Sequence, residues 1–163
     1  MAYLLIPLVP EPPEPVERNG GGANSRPADL DPELTEPLAA WVWVASASTD
    51  ACLVLDHRGR VAGCSQPAAA LLGESTVNMR GRVLVGDVID VVDFSAQAGP
   101  GDSYAFRIPP LLALASEMPA RGLLRLRHGD GRRITLDAVS APLHNEQGHV
   151  AGSVSFLAAV APG

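Results

Sequence analysis

The chain has 163 residues, 47% of them hydrophobic, and a formal net charge of -6, a size and composition that allow one modest globular unit with a packed core. The charge is uneven: Met1–Pro37 holds seven acidic residues against Arg18 and Arg26, whereas Leu38–Gly163 holds eleven against ten arginines. A nearly neutral folded part lacks the clustered basic surface that nonspecific phosphate binding needs, which argues against nucleic acid as a partner.

Cys52 and Cys64 are the only cysteines, with no CxxC, in a chain large enough to fold without disulfide staples; a reducing interior is expected and a metal cage is not. The apolar start MAYLLIPLVP has no basic segment before it and no small-residue cleavage pattern after it. No stretch approaches the roughly 20 apolar residues of a membrane span, so the protein is placed in the cytoplasm, away from membranes.

Eight of the fifteen prolines precede Leu38, together with the run Gly20-Gly21-Gly22. Such a segment buries too little surface to offset its ordering entropy, so residues 1–34 are expected to be a disordered leader, polyproline-like around Pro10–Pro15. The alternative for it is a docking tail for a partner with an aromatic groove. Thr35 reads as a helix cap with Glu36 and Pro37 in the first turn, giving an N-terminal helix within 35–49. Its sequence LAAWVWVASAS is apolar nearly all round and needs covering, by the rest of the domain or by a second copy. Trp41 and Val44 share one face of it and Trp43 lies on another.

The following run ACLVLDHRGRVAGCS reads as two short strands, Ala51–Asp56 and Arg60–Ser65, joined by a loop whose Gly59 suits a tight hairpin. Pro67 fits the first turn of a short helix that Gly73 ends. LVGDVIDVVDF is expected to be a short apolar helix or loop, SAQAGPGDS a connector, and PPLLALASEMPARG a helix starting at Pro109-Pro110 and stopped by Pro119; helices, rather than strands, are expected throughout this middle. From Gly122 the period becomes two. Leu124 and Leu126 alternate with Arg125 and Arg127, Ile134, Leu136 and Ala138 with their polar neighbours, and Val150, Gly152, Val154 and Phe156 with His149, Ala151, Ser153 and Ser155. Three sequential antiparallel strands result, each with a wet and a dry face.

Two stretches of this pattern resemble a PAS domain. CLVLDHRGRVAGCSQPAAALLG is similar to that family's opening strand ending in Asp, Gly turn, second strand, and Pro-Ala-rich helix ending in Leu-Gly. RHGDGRRITLDAVSAPLHNEQGHVAG is similar to its closing Asp-Gly turn, long strand ending in Pro-Leu, and Gly turn before the last strand. The resemblance covers about residues 38–160 and implies an α+β fold: a domain over 50–160 with a five-stranded antiparallel sheet, the first hairpin beside the last strands, and the middle helices covering one face. A cleft between sheet and helices is where such domains hold ligands. Candidates to line it, carried from position, are Leu53, Leu55, Leu72, Phe94, Phe106, Leu112, Leu136 and Phe156.

The cofactor is unknown. ESTVNMRGRVLVG carries no Cys where light-sensing relatives have their flavin thiol, and PPLLALASEMPARG carries no His where haem-sensing relatives have their axial ligand; Met118 there reads as filler. The four histidines fall at turns, and only His144 and His149 flank the same one. Cys52 and Cys64 read as buried small hydrophobes. No nucleophile elbow, phosphate loop or HExxH motif is present, and Asp87, Asp90 and Asp93, spaced by three, read as the wet edge of a helix, so no enzymatic activity is expected. Arg125 and Arg127 should project from the sheet face opposite the cleft, as a solvated face or a partner-docking surface. The last strand runs out in SFLAAVAPG without the Asp turn that leads relatives into an attached effector. The expected function is therefore a freestanding signalling module that works by homodimerisation or contact with a signalling partner. Interface candidates are Trp41, Trp43, Val44, Arg125 and Arg127, and the cleft is either filled by side chains or holds a small apolar ligand. The alternative is a small-molecule or cofactor receptor whose occupancy switches that contact.

Overall fold

The computed structural model of the chain describes residues 36–92 and 107–161. The expected disordered leader and the SAQAGPGDS connector lie outside the described residues, as do Asp93, Phe94 and Phe106. In chain order the elements are α1 (Glu36–Ala47), β1 (Cys52–Asp56), β2 (Val61–Cys64), α2 (Gln66–Leu72), α3 (Thr76–Met79), β3 (Asp90–Val91), α4 (Pro109–Ser116), β4 (Ala120–Arg127), β5 (Arg133–His144) and β6 (Val150–Ala159).

Local chemistry accounts for the joints. In the β1–β2 turn the Asp56 carboxylate accepts from the backbone N–H of Arg58 at 2.9 Å and of Arg60 at 2.8 Å, an Asp-closed turn in which Gly59 takes a φ of 73°. Asn145 closes the β5–β6 turn the same way, accepting from Gln147 and His149 N–H. Ser65 is a buried node: its hydroxyl caps α2 through Ala68 N–H, accepts from Cys52 N–H and donates to the Asp50 carbonyl at 2.7 Å. α2 ends at Gly73, in the left-handed region, with Glu74 N–H donating to the Ala69 carbonyl.

The strands form one antiparallel sheet in the order β2-β1-β6-β5-β4-β3, so the opening hairpin lies against the closing strand. The sheet has six strands where five were expected. The LVGDVIDVVDF segment supplies the extra one: Leu84–Val88 makes a wide turn in which Ile89 N–H donates to the Leu84 carbonyl, and the chain then extends so that Asp90 and Val91 pair with Arg127 and Leu126. Asp87 and Asp90 therefore share no helix edge. The Asp87 carboxylate accepts from Val83 N–H at 3.1 Å, while Asp90 forms an ion pair with Arg127 at 3.3 Å.

Helices cover both faces of the sheet, not one. Leu53, Leu55, Leu124, Leu126, Leu136, Ala138 and Leu157 point to one side and pack with α2, α3, Leu84 and the inner edge of α4 in the main core. On the other side Leu38, Val42 and Ala45 of α1 pack on Cys52, Val54, Ala62, Leu143 and Val154. Two glycines permit that approach: a β-carbon on Gly63 would lie 2.7 Å from Val42, and one on Gly152 would lie 2.7 Å from Leu38 and closer still to the Leu55 carbonyl oxygen. With cover on both faces, β6 is buried continuously from Ala151 to Ser155. Its faces are also exchanged relative to expectation. Gly152, Val154 and Phe156 turn to the α1 side, while Ser153, Ser155 and Leu157 turn to the main core, as fixed by the pairs Val54↔Val154 and Leu53↔Ser155.

Candidate functional site

The concave side of the sheet, under α2, α3 and α4, is where a ligand cleft was expected. β1 places Leu53 and Leu55 there, α2 places Leu72 and β5 places Leu136; all four are buried in the main core. Met79, Leu84 and Leu126 share the same packing. Two of the expected lining residues are elsewhere. Leu112 is 39% exposed on the outer side of α4, because Pro109, Pro110 and Ala113 are the residues that face inward. Phe156 is 44% exposed and sits on the opposite sheet face, opposite Cys52 and Val139.

Three hydroxyls not anticipated from the sequence enter this side. Ser140 and Ser155 are buried and bond to one another at 2.8 Å, and Ser153 donates to the Pro110 carbonyl at 3.0 Å, tying the first turn of α4 to β6. Each is satisfied, so the apolar surroundings impose no desolvation penalty on an orphaned group. Their signal in the sequence was the run Val154-Ser155-Phe156-Leu157, which fits neither phase of a one-sided strand.

The cysteines also flank the two faces. Burial pushes the Cys52 thiol up to about 11, helped by the nearby Cys64 and Asp50 charges, and burial pushes Cys64 to about 11 as well. Both stay protonated near neutrality and are poor nucleophiles. Cys64 packs sulfur to sulfur on Met79 at 3.9 Å. His57, His144 and His149 are exposed, and His128 is half-buried between Gly73 and Asp130, its Nδ1 lying 3.1 Å from an Asp130 oxygen. Among the described residues no three His, Cys, Asp or Glu side chains gather as a metal set.

The outer side of the sheet is only partly covered. α1 lies over β1, β2 and the start of β6, with Trp41 packed at the margin of that cluster. Trp43, 58% exposed, and Val44 point away from it. Beyond the helix the outer face presents Leu123, Val139 and Phe156, all exposed; Val139 sits directly opposite Phe156 in the β5–β6 register. The doublet Leu123-Leu124 was the sequence signal for this, since two adjacent leucines in a strand must point to opposite faces. Around the patch are charges in pairs. Arg121 and Asp137 are 2.6 Å apart, a contact that lowers the carboxyl below its usual range and raises the guanidinium. Arg125 and Arg127 project from this same outer face, because their neighbours Leu124 and Leu126 are in the main core.

Solved structures of the same architecture include the PAS domain of a protein from Colwellia psychrerythraea, 19% identical, covering 72% of this chain and 92% of that one with a TM-score of 0.55. The PAS domain of the fruit-fly ELK potassium channel is 12% identical, with 73% and 94% covered and a TM-score of 0.57. The fold is PAS-like. A third neighbour is the Vibrio cholerae VqmA dimer, a LuxR-type receptor with a target DNA, at 14% identity and a TM-score of 0.54; the match spans 73% of this chain and 50% of VqmA, which has also been solved bound to DPO. No family model matches the chain, and no curated protein matches it. The PAS-like sheet thus presents two surfaces with different chemistry: a concave side closed by its own helices and an outer side with an apolar patch. No helix among the described residues is long and apolar enough to cross a membrane.

Proposed function

We propose that this PAS-like domain is a cytoplasmic sensory signalling module that works by protein contact, without catalysing a reaction and without binding nucleic acid, and that its contact surface is the outer sheet face with α1. The observation that carries the reading is the run of exposed apolar side chains on that one side: Trp43 and Val44 on the helix, and Leu123, Val139 and Phe156 on three adjacent strands. Contiguous apolar surface with a charged rim is the anatomy of a protein interface, and aromatic anchors contribute most of its energy. A second copy of the chain is the simplest occupant, since an isologous contact doubles every apolar residue in it; the VqmA neighbour is itself a dimer. Sedimentation equilibrium of the wild type and of a Trp43→Ser, Phe156→Ser double variant tests it. Self-association that weakens at least about tenfold in the variant supports the reading; an unchanged monomer together with unchanged partner capture sinks it.

A second reading, a receptor whose occupancy alters that contact, draws on the Ser140–Ser155 hydroxyl pair on the concave side. Two hydroxyls bonded to each other can reorient to meet a polar ligand atom without leaving a group unsatisfied. Native mass spectrometry of freshly purified protein separates the readings: mass lost on denaturation supports the receptor, and the bare chain mass supports the interaction module.

A further inference from the structure

One ion pair reaches into the apolar patch of the outer face. Two rows cross the sheet there: Arg121 lies opposite Val139 and Val139 opposite Phe156, and in the next row Leu123 lies opposite Asp137 and Asp137 opposite Ala158. All six point to the outer side, because Leu124, Ala138 and Leu157, their neighbours along the strands, are in the main core. Asp137 is thus a half-buried carboxylate flanked by Leu123, Val139 and Ala158. Arg121 reaches it diagonally, donating from Nε to one oxygen at 3.2 Å and from Nη2 to the other at 2.6 Å.

A carboxylate inside a contact surface is costly to bury unless its hydrogen-bonding sites are filled. The fork fills only part of them: a guanidinium has more N–H donors than the two used here, and a carboxylate more lone pairs than the two it lends. With the pair intact, the remaining donors of Arg121 suit a second carboxylate and the remaining acceptor sites of Asp137 suit a second cation, side by side. Another copy of this chain, turned by a two-fold axis, presents that arrangement with its own intact pair. A wholly apolar partner surface would leave the remaining sites desolvated and unfilled, and a partner of one charge sign would be repelled by one member of the pair.

We propose that Arg121 and Asp137 are the specificity-determining pair of the self-contact put forward above, on which their role depends. Two intact forks meet across the two-fold axis, each guanidinium also donating to the carboxylate of the other copy, and close a ring of alternating charges that fixes the register of the contact. The apolar side chains supply the association, and the ring selects an identical chain as the partner.

A charge exchange within the full-length chain tests this. The Arg121→Asp/Asp137→Arg double variant keeps an opposite-charge pair inside each copy and between two variant copies, but against a wild-type copy it sets cation on cation and carboxylate on carboxylate. Native mass spectrometry of wild-type chain equilibrated with isotope-labelled variant resolves both homodimers and the heterodimer. The variant is expected to self-associate within about threefold of wild type, while the mixed dimer is depleted at least about tenfold relative to a control of labelled and unlabelled wild type. Where the double variant folds poorly, Arg121→Asp mixed with Asp137→Arg carries the same information: each alone sets like charges across the axis, and heterodimer should exceed either homodimer. A double variant that mixes freely with wild type, or single variants that form no excess of heterodimer, overturns the ring. If the Trp43→Ser, Phe156→Ser variant nonetheless loses self-association, the contact surface stands and only its selector is wrong; a wild-type chain that stays monomeric overturns both.

Discussion

The two faces of the sheet are made of the same strands, yet they are finished differently. On the concave side every strand but β3 contributes a buried aliphatic residue, and three helical segments close over them. On the outer side, among the described residues, only α1 is available, and it covers the β1–β2–β6 half while leaving Leu123, Val139 and Phe156 exposed. The contrast teaches that burial on the first face serves stability, whereas the exposed apolar side chains of the second contribute little to it. It also locates where substitutions should separate folding from association.

The largest effect is expected on the concave side. Leu136→Ala removes a fully buried side chain at the centre of the main core, and urea unfolding should show a loss of roughly 3 to 4 kcal/mol. Gly152→Ala attacks the seam between α1 and the sheet, where the new β-carbon meets the Leu55 carbonyl and Leu38; a loss of about 2 to 3 kcal/mol is expected, with a shift in Trp41 fluorescence as α1 lifts. If that variant instead unfolds at the wild-type denaturant midpoint, α1 is not held as described. Ser140→Ala leaves Ser155 without its bonded hydroxyl partner and should cost about 1 kcal/mol, with no change in association. Leu123→Ser and Val139→Ser should each alter unfolding by no more than about 0.5 kcal/mol while weakening self-association, and equal effects on both quantities would erase the distinction between the faces.

The smallest effect concerns acid stability at the hairpin tip. Hydrogen bonds from the Arg132 backbone N–H and guanidinium, with a further contribution from His128, hold the Asp130 carboxyl down at about 2. A carboxyl lower in the folded than in the unfolded chain stabilises the fold above its unfolded pKa of roughly 3.9, and that contribution disappears as pH falls towards 2. The difference in melting temperature between wild type and Asp130→Asn should therefore be present at pH 5 and shrink steadily as pH falls through 2; a difference that keeps its pH 5 size at pH 2 rules out the carboxylate as its source.

Much of the fold was legible because its signals are local. Gly59, Gly73, Gly131 and Gly148 all take positive φ at the turns where they were expected to end an element, and the alternation of Leu124 and Leu126 with arginines identified their faces. What escaped the sequence depends on partners distant along the chain. β3 is only two residues long and exists because Arg127 and Leu126 offer an edge, so no periodicity could announce it. Phe156 was misplaced for a related reason: a face is assigned from alternation only when the other face is wet, and cover on both faces of β6 removed that contrast; on α4 the run Leu111-Leu112-Ala113-Leu114 carries no polar stripe to mark the outer side. The serines of β6 show the same limit, since small polar residues are read as exposed unless their mutual hydrogen bonds are known.

The placement of β6 has a consequence for how the chain reaches this structure. β1 makes no neighbour on its inner edge until β6 arrives, and the paired residues Cys52 and Phe156 are on the order of a hundred positions apart, a separation that slows folding by raising contact order. Until then the β1–β2 hairpin is a two-stranded ribbon, marginal in water, with the Leu53 and Leu55 side chains uncovered. The locally connected β4–β5–β6 meander can assemble first and act as the template on which that hairpin docks. In pulsed hydrogen exchange the amides of β4 and β5 should gain protection before those of β1 and β2.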